Sequence, residues 1–182
     1  MKGGEAVEQE QKWIRAIQRR NSRAAAEQLI QAYYDEIYRF VYRQTGSRED
    51  AMDLTQSIFI AVLRALPGYQ AERASFRTWM YRIVVNESLQ LLKAREREVL
   101  SGEDQPEASY QEPGFEAPEE DLMAQLDRLE WTEQEVIRLR YFEELSLKEI
   151  AEILTMNLNT VKAKLYRGLK KLKVQMQEGD CI

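Results

Sequence analysis

The sequence predicts an all-α protein with two small helical domains. One is an N-terminal three- to four-helix bundle, and the other is a C-terminal four-helix domain with a helix-turn-helix. Gly and Pro are scarce, at 8 and 4 of 182 residues, and apolar residues recur at helical spacing on both sides of the middle. Residues 101–121 hold three prolines and eight acids, which favours an acidic, proline-containing linker. The predicted domains are therefore residues 1–100 and 122–182.

Three apolar stripes predict the helices of the first domain. The first stripe runs over residues 29–41 and ends before a break at residues 45–47. The second runs over residues 54–66 and is stopped by Pro67-Gly68, since both residue types end helices. The third helix is predicted to begin near Ser75 and to continue to about Glu98.

Helix-start signals predict the second domain. An initial helix is expected around residues 121–129. Capping-box patterns at residues 132–135 and 146–149 predict the starts of two more helices. After a short turn at residues 155–157, Asn157 is a suitable N-cap for a last helix over residues 158–176.

Several functional classes are disfavoured by composition. The chain has no histidine and a single cysteine, Cys181, so the commonest general base and metal ligand is missing and no intrachain disulfide can form. Neither a Gly-rich phosphate loop nor a carboxylate, Lys or Tyr constellation suggests catalysis. We therefore predict no catalytic residue, no cofactor and no metal. The sequence also lacks an apolar span or signal peptide, which predicts a cytoplasmic protein.

The last two helices predict a DNA-binding surface. A short helix, a three-residue turn and a second helix form a helix-turn-helix, whose second helix enters the major groove. The chain carries a net charge of −5, but residues 159–176 contain six basic residues and no acidic one. The alternative interpretation of this basic run is an ordinary solvent-exposed helix face. The predicted duplex contacts are Asn159, Thr160, Lys162, Ala163, Lys164, Arg167, Lys170 and Lys171.

The third helix of the first domain carries a second polar stripe. Its members are spaced by 4, 4, 3 and 4 residues and so share one face. They are Arg82, Asn86, Gln90, Lys93 and Arg97. Phe76, Trp79 and Tyr81 cluster at the start of the same helix. Aromatic rings beside a basic groove suit unpaired bases, although rings on an apolar face are more often core.

A polar face on the second helix is the third candidate surface. Asp50, Asp53, Gln56 and Ser57 lie opposite the apolar stripe of that helix. Composition alone leaves two interpretations open, an ordinary solvated surface and a contact face for another protein.

Four stretches together resemble the extracytoplasmic-function (group four) sigma factors of bacterial RNA polymerase. The order and the spacing of the stretches are more specific than any one of them. They are DAMDLTQ at residues 50–56, FRTWMYRI at 76–83, RLRYFEELS at 138–146, and EIAEIL through TVK at 149–162. The resemblance covers about residues 25–98 and 122–174.

The resemblance implies a role for each candidate surface. It assigns Asp50, Asp53, Gln56 and Ser57 to binding of core RNA polymerase, although the family usually has an acid at Ser57. It assigns duplex recognition of the minus-thirty-five element to the C-terminal helix-turn-helix, and the loop 69–74 to capture of a flipped minus-ten base. An anti-sigma protein is a further implied partner. The implied minus-ten contacts are Phe76, Arg77, Trp79, Arg82, Asn86, Gln90, Lys93 and Arg97.

Three other features also depart from the family pattern. Gln90 and Lys93 replace the commoner Asp and Arg, Thr155 stands at a turn position often held by Gly, and Trp131 replaces a polar residue. Two other functions fit parts of the sequence. A polymerase-independent regulator would bind duplex tightly by itself, and a helical adaptor would show no DNA dependence.

Overall fold

A computed structural model describes residues 2–101 and 120–179, and these residues form α-helices, one 3₁₀ turn and connecting loops, without a β-strand. The chain divides into two compact units, residues 1–108 and 109–182. The predicted linker lies largely outside the described residues, as does Cys181. None of the described helices combines the length and the apolar character that crossing a bilayer requires.

The first unit contains four α-helices and the 3₁₀ turn. They are α1 (Lys2–Arg20), α2 (Arg23–Thr45), α3 (Arg48–Ala65), the turn Leu66–Gly68 and α4 (Phe76–Ser101). The three predicted stripes are confirmed as α2, α3 and α4. Gly46 ends α2 in the left-handed conformation, with φ of 63°, and the Ser47 side chain caps α3. These two residues explain the sharp break between the helices.

Helix α1 was not predicted as a separate element. It packs against α2 and the 3₁₀ turn through Ile14 and Ile17, which are 1% and 8% exposed. Most of the remaining residues of α1 are polar or charged. An apolar stripe this narrow is a weak helical signal in the sequence.

The second unit contains the other four helices, α5 (Glu120–Asp127), α6 (Trp131–Tyr141), α7 (Leu147–Ile153) and α8 (Leu158–Gly179). The capping box at Ser146 and Glu149 is confirmed. Asn157 is confirmed as the cap of α8, since its Oδ1 accepts a hydrogen bond from the Thr160 backbone at 2.8 Å.

The predicted capping box at Thr132 is wrong. Helix α6 begins two residues earlier than that pattern implies, at Trp131, and Glu130 is its N-cap residue. The Thr132 hydroxyl donates to Glu130 Oε1 at 2.9 Å instead of capping a backbone amide. The Glu133 and Glu135 side chains are buried, so the acids that suggested a capping box serve the interior.

Helices α6 and α8 approach closely at Gly168. A Cβ atom added at this position would lie 2.8 Å from Ile137 Cδ1 and 3.4 Å from Glu133 Cβ. The missing side chain therefore lets the two helices pack together. Thr155, in the turn before α8, has a left-handed backbone with φ of 54°, which explains why glycine suits this turn position.

Candidate nucleic-acid and protein interfaces

The polar stripe of α4 forms one exposed face. Arg82, Asn86, Gln90, Lys93 and Arg97 are all exposed. On the other side of the helix, Val84, Val85 and Ser88 are at most 3% exposed. The face contains three cations, two amides and no acid, so it can donate hydrogen bonds both to phosphates and to base edges.

The aromatic residues at the start of α4 are mostly interior. Phe76 is 1% exposed and lies 5.5 Å from Tyr33, 5.6 Å from Tyr69 and 5.6 Å from Trp79 between ring centroids. The Phe76 ring is therefore covered in this structure, and its assignment to minus-ten DNA contact stays a prediction. Trp79 is half-buried.

Arg77 is engaged by the neighbouring helix. Its Nε donates to Glu36 Oε1 of α2 at 2.7 Å, and its guanidinium lies 5.3 Å from the Tyr81 ring centroid. The Tyr81 hydroxyl donates to the same Glu36 oxygen at 3.0 Å. The Arg77 cation thus pairs α4 with α2 in this structure. Its assignment to minus-ten DNA contact stays a prediction.

The loop between the 3₁₀ turn and α4 is short and closed on itself. The Tyr69 hydroxyl donates to the Ala74 carbonyl at 3.1 Å, and the Arg73 amide donates to the Gln70 carbonyl at 3.1 Å. Residues 70–73 are exposed. The Ser75 hydroxyl then accepts from the Thr78 amide at 3.1 Å and so caps α4. This arrangement leaves the loop's tip facing solvent beside the start of α4.

The predicted protein-contact face on α3 is divided. Asp53, Gln56 and Ser57 are exposed, whereas Asp50 is half-buried and pairs with Arg95 of α4. Burial raises the pKa of Asp50, but hydrogen bonds from Arg95 and Ser47 outweigh it and hold the pKa below its ordinary value. Asp50 is therefore an anion that already has a cationic partner within the unit.

An apolar groove beside this face was missed by the sequence analysis. It lies between α2 and α3, has a volume of about 310 Å³, and includes Tyr34, Met52 and Ile60 in its lining together with Asp53 and Gln56. These three apolar residues are 37%, 47% and 46% exposed. Met52 and Ile60 are apolar but fall outside the main apolar stripe of α3. This departure from the stripe is the feature of the sequence that could have indicated the groove.

Helix α8 presents two different polar faces. Asn159, Lys162, Ala163 and Lys170 are exposed on one face. Tyr166, which the sequence analysis missed, is 72% exposed. It is placed among these residues by its spacing of four from Lys162 and from Lys170.

The other polar face of α8 is paired with α6. Lys164 bonds to Glu130 at 2.6 Å, Lys171 to Glu133 at 2.7 Å, and Arg167 lies 3.8 Å from Glu133. The hydrogen bond from Lys164 is the main reason that the pKa of Glu130 is lowered. The Thr160 hydroxyl bonds to Asn157 Oδ1 at 3.0 Å. Half of the predicted contacts are thus already engaged within the unit.

The described residues contain no group of three or more Cys, Asp or Glu side chains arranged to hold a metal ion. The prediction that the chain binds no metal or cofactor stays a prediction, since part of the chain is outside the described ranges.

Comparison with known proteins identifies relatives of both units. The family described as Sigma-70 region 2 matches residues 29–98, and the family described as Sigma-70, region 4 matches residues 119–172. RNA polymerase sigma factor YlaC of Bacillus subtilis is 33% identical over 162 residues, which cover 85% of this chain and 93% of YlaC. ECF RNA polymerase sigma factor SigW of the same organism is 28% identical over 187 residues, with 92% and 96% covered.

A solved structure shares the fold. The sigma factor RpoE, co-crystallised with the anti-sigma factor NepR from Bartonella quintana, matches with a TM-score of 0.70 at 19% identity. The match covers 83% of this chain and 96% of that one.

Proposed function

This chain belongs to the extracytoplasmic-function (ECF) group of RNA polymerase sigma factors, and from that premise we propose how its surfaces divide the work of initiation. The α3 face binds core polymerase, the α4 stripe binds and opens the minus-ten element, and the exposed face of α8 recognises the minus-thirty-five element. One observation carries this proposal: each unit presents an exposed face of amides and cations without an acid.

Core binding is proposed for the groove between α2 and α3 and its rim. Met52 and Ile60 are exposed apolar residues, and Asp53 and Gln56 border them. An apolar centre with a polar rim is the usual arrangement of a protein interface. Polymerase binding thus supplies a reason for the apolar exposure that monomeric proteins avoid.

Minus-ten opening is proposed for the exposed stripe of α4. Asn86 and Gln90 carry amides that can bond to base edges, and the flanking cations can bind phosphate. Trp79, which is only half-buried, is the aromatic residue proposed for stacking. Trapping unpaired bases on this face offsets the cost of separating the strands. Phe76, which is buried behind the face, and Arg77, which pairs with Glu36, help to hold α4 in place.

Minus-thirty-five recognition is proposed for the exposed residues of α8. Asn159, Lys162 and Ala163 lie at the N-terminal end of the helix, which in a helix-turn-helix lies nearest to the base edges. Tyr166 adds an exposed ring that can contact bases or sugars. Lys164, Arg167 and Lys171 contribute less, because their charges are partly compensated by Glu130 and Glu133.

Two lysines of α8 provide a matched comparison. We expect Lys162→Ala to weaken minus-thirty-five duplex binding by about tenfold and Lys171→Ala by less than threefold, since only Lys162 lacks a carboxylate partner among the described residues. Competition titrations of holoenzyme at several salt concentrations measure both. Equal losses for the two variants would show that pairing with α6 does not decide which lysine contacts DNA.

The core-binding proposal is tested by reversing the polarity of the groove. Ile60→Asp should weaken binding to core polymerase at least tenfold, because a carboxylate in an apolar interface loses its hydration without a partner. Val7→Asp is the control, since Val7 is also an exposed apolar residue of the first unit. Fluorescence titration of labelled protein with core polymerase gives both affinities. An unchanged affinity for Ile60→Asp would place core binding elsewhere.

Two further properties accompany this function. We expect an anti-sigma protein to restrain the factor, since RpoE, a protein of the same fold, forms a complex with the anti-sigma factor NepR. We also expect the chain to act in the cytoplasm, where polymerase and promoter DNA are found. It has no catalytic role in our proposal, since polymerase carries out the chemistry of transcription.

A further inference from the structure

Helix α1 contacts the loop that leads into α4. The Gln18 side chain donates from Nε2 to the carbonyl oxygens of Leu66 and Tyr69, both at 3.0 Å. Leu66 opens the 3₁₀ turn and Tyr69 is the first residue of the loop. Helix α1 precedes the segment that matches Sigma-70 region 2, which begins at residue 29. Gln18 thus lies outside the segment that this family model matches, whereas Leu66 and Tyr69 lie inside it.

The side chain of Tyr69 is also held in place, at its hydroxyl and at its ring. Its hydroxyl donates to the Ala74 carbonyl at 3.1 Å. Burial raises the pKa of this hydroxyl, and a hydrogen bond from the Gln11 side chain of α1 opposes that shift. The Tyr69 ring packs against Phe76 and Trp79, with centroids 5.6 Å and 5.1 Å away. Tyr69 is consequently 6% exposed, although it begins a surface loop.

The two glutamines lie on one side of α1. They are seven residues apart, which is two helical turns, and the buried Ile14 lies between them. Gln18 itself is exposed as a residue, so it contributes little apolar packing. Its amide instead bonds to two carbonyls that precede the loop's tip. Ile14 and Ile17 supply the buried apolar contacts of α1, and the glutamines add polar contacts to the loop.

We propose that Gln18, assisted by Gln11, is a positioning residue for recognition of an unpaired minus-ten base. Together they fix Tyr69, and Tyr69 fixes the separation of the loop's two ends, so the exposed tip at residues 70–73 is held beside the start of α4. A preorganised loop captures a flipped base at a smaller entropic cost than a mobile one. The inference rests on the proposed function, in which this loop receives the base.

Gln18→Glu tests the role of the amide. The substitution keeps the size of the side chain but removes both N–H donors, and the carboxylate is repelled by the two carbonyl oxygens. Gln18→Lys restores a donor that can reach them. Gln9→Glu is the matched control, because it makes the same change at an exposed position of the same helix.

The assay is transcription by holoenzyme from a duplex library with a randomised minus-ten element, followed by sequencing of the transcripts. For Gln18→Glu we expect the preference at one minus-ten position to fall about tenfold, with core affinity and thermal midpoint equal to those of Gln9→Glu. Gln18→Lys should recover most of the preference. These results would support positioning by α1.

Two results would overturn the inference. In one, Gln18→Glu keeps the wild-type preference at every position. In the other, it lowers transcription evenly across the library together with its thermal midpoint, which indicates a general structural role. If the wild-type protein yields no promoter-specific transcript with core polymerase, the proposed function itself fails, and that result is distinct from both.

Discussion

Asn86→Ala is expected to reduce promoter opening by roughly ten- to a hundredfold, which corresponds to losing about 1–3 kcal/mol of base contact. Asn86 lies in the exposed stripe of α4, with Arg82 and Gln90 one turn away on either side. Its amide can both donate to and accept from a base edge. Alanine removes this contact and is itself a strong helix former, so the helix should remain intact.

Permanganate reactivity of unpaired thymines in the minus-ten element measures opening directly. Binding to core polymerase, measured separately, should be unchanged, because Asn86 is on α4 and the proposed core-binding groove lies between α2 and α3. Gln28→Ala is the control, since it removes an exposed side-chain amide from α2. Wild-type thymine reactivity in the Asn86→Ala holoenzyme would remove Asn86 from the opening step.

Arg138→Met is expected to destabilise the second unit by about 3 kcal/mol, the range found when a buried ion pair loses one partner. The Arg138 side chain is 2% exposed and its guanidinium bonds to Asp127 at 2.7 Å and to Gln134 at 2.8 Å. Glu135, which is fully buried, lies 3.4 Å away. Methionine fills similar space but leaves the Glu135 carboxylate without this cation.

Hydrogen exchange followed by mass spectrometry locates the effect. Peptides from α6 and α8 should lose protection in Arg138→Met, whereas peptides from α2 and α4 serve as an internal control in the other unit. Replacing Glu135 by Leu in the same protein should restore most of the protection, since apolar pairs of similar volume often equal a buried ion pair. Unchanged protection in the single variant would contradict this role of Arg138.

Periodicity predicted most of the helices because their cores are built from regularly spaced apolar residues. The stripe that includes Ile37, Phe40 and Val41 in α2 is almost completely buried. Caps formed by side chains were equally accessible from sequence, as Ser146 and Asn157 show. Thr132 misled the prediction because Glu133 is a buried partner of α8 and Glu135 is a buried partner of Arg138, rather than capping groups.

The candidate surfaces were predicted less completely, since spacing shows which residues share a helix face but not what another helix places against it. Lys164 and Lys171 have the same sequence signal as Lys162, yet only the structure brings Glu130 and Glu133 to them. Arg77 and Arg82 likewise carry the same signal in the sequence. The structure pairs Arg77 with Glu36 and leaves Arg82 exposed. The long-range contacts of Gln18 leave no local pattern in the sequence at all.

Promoter-dependent transcription by core polymerase tests the central claim most directly. The template is a duplex library in which two upstream elements and the spacer between them are randomised. With this protein present, we expect transcripts enriched in two sequence blocks at a fixed separation, and with Asn86→Ala we expect far fewer of them. If core polymerase yields the same transcripts with and without the protein, or if no sequence block is enriched, the assignment of these surfaces to promoter recognition is contradicted.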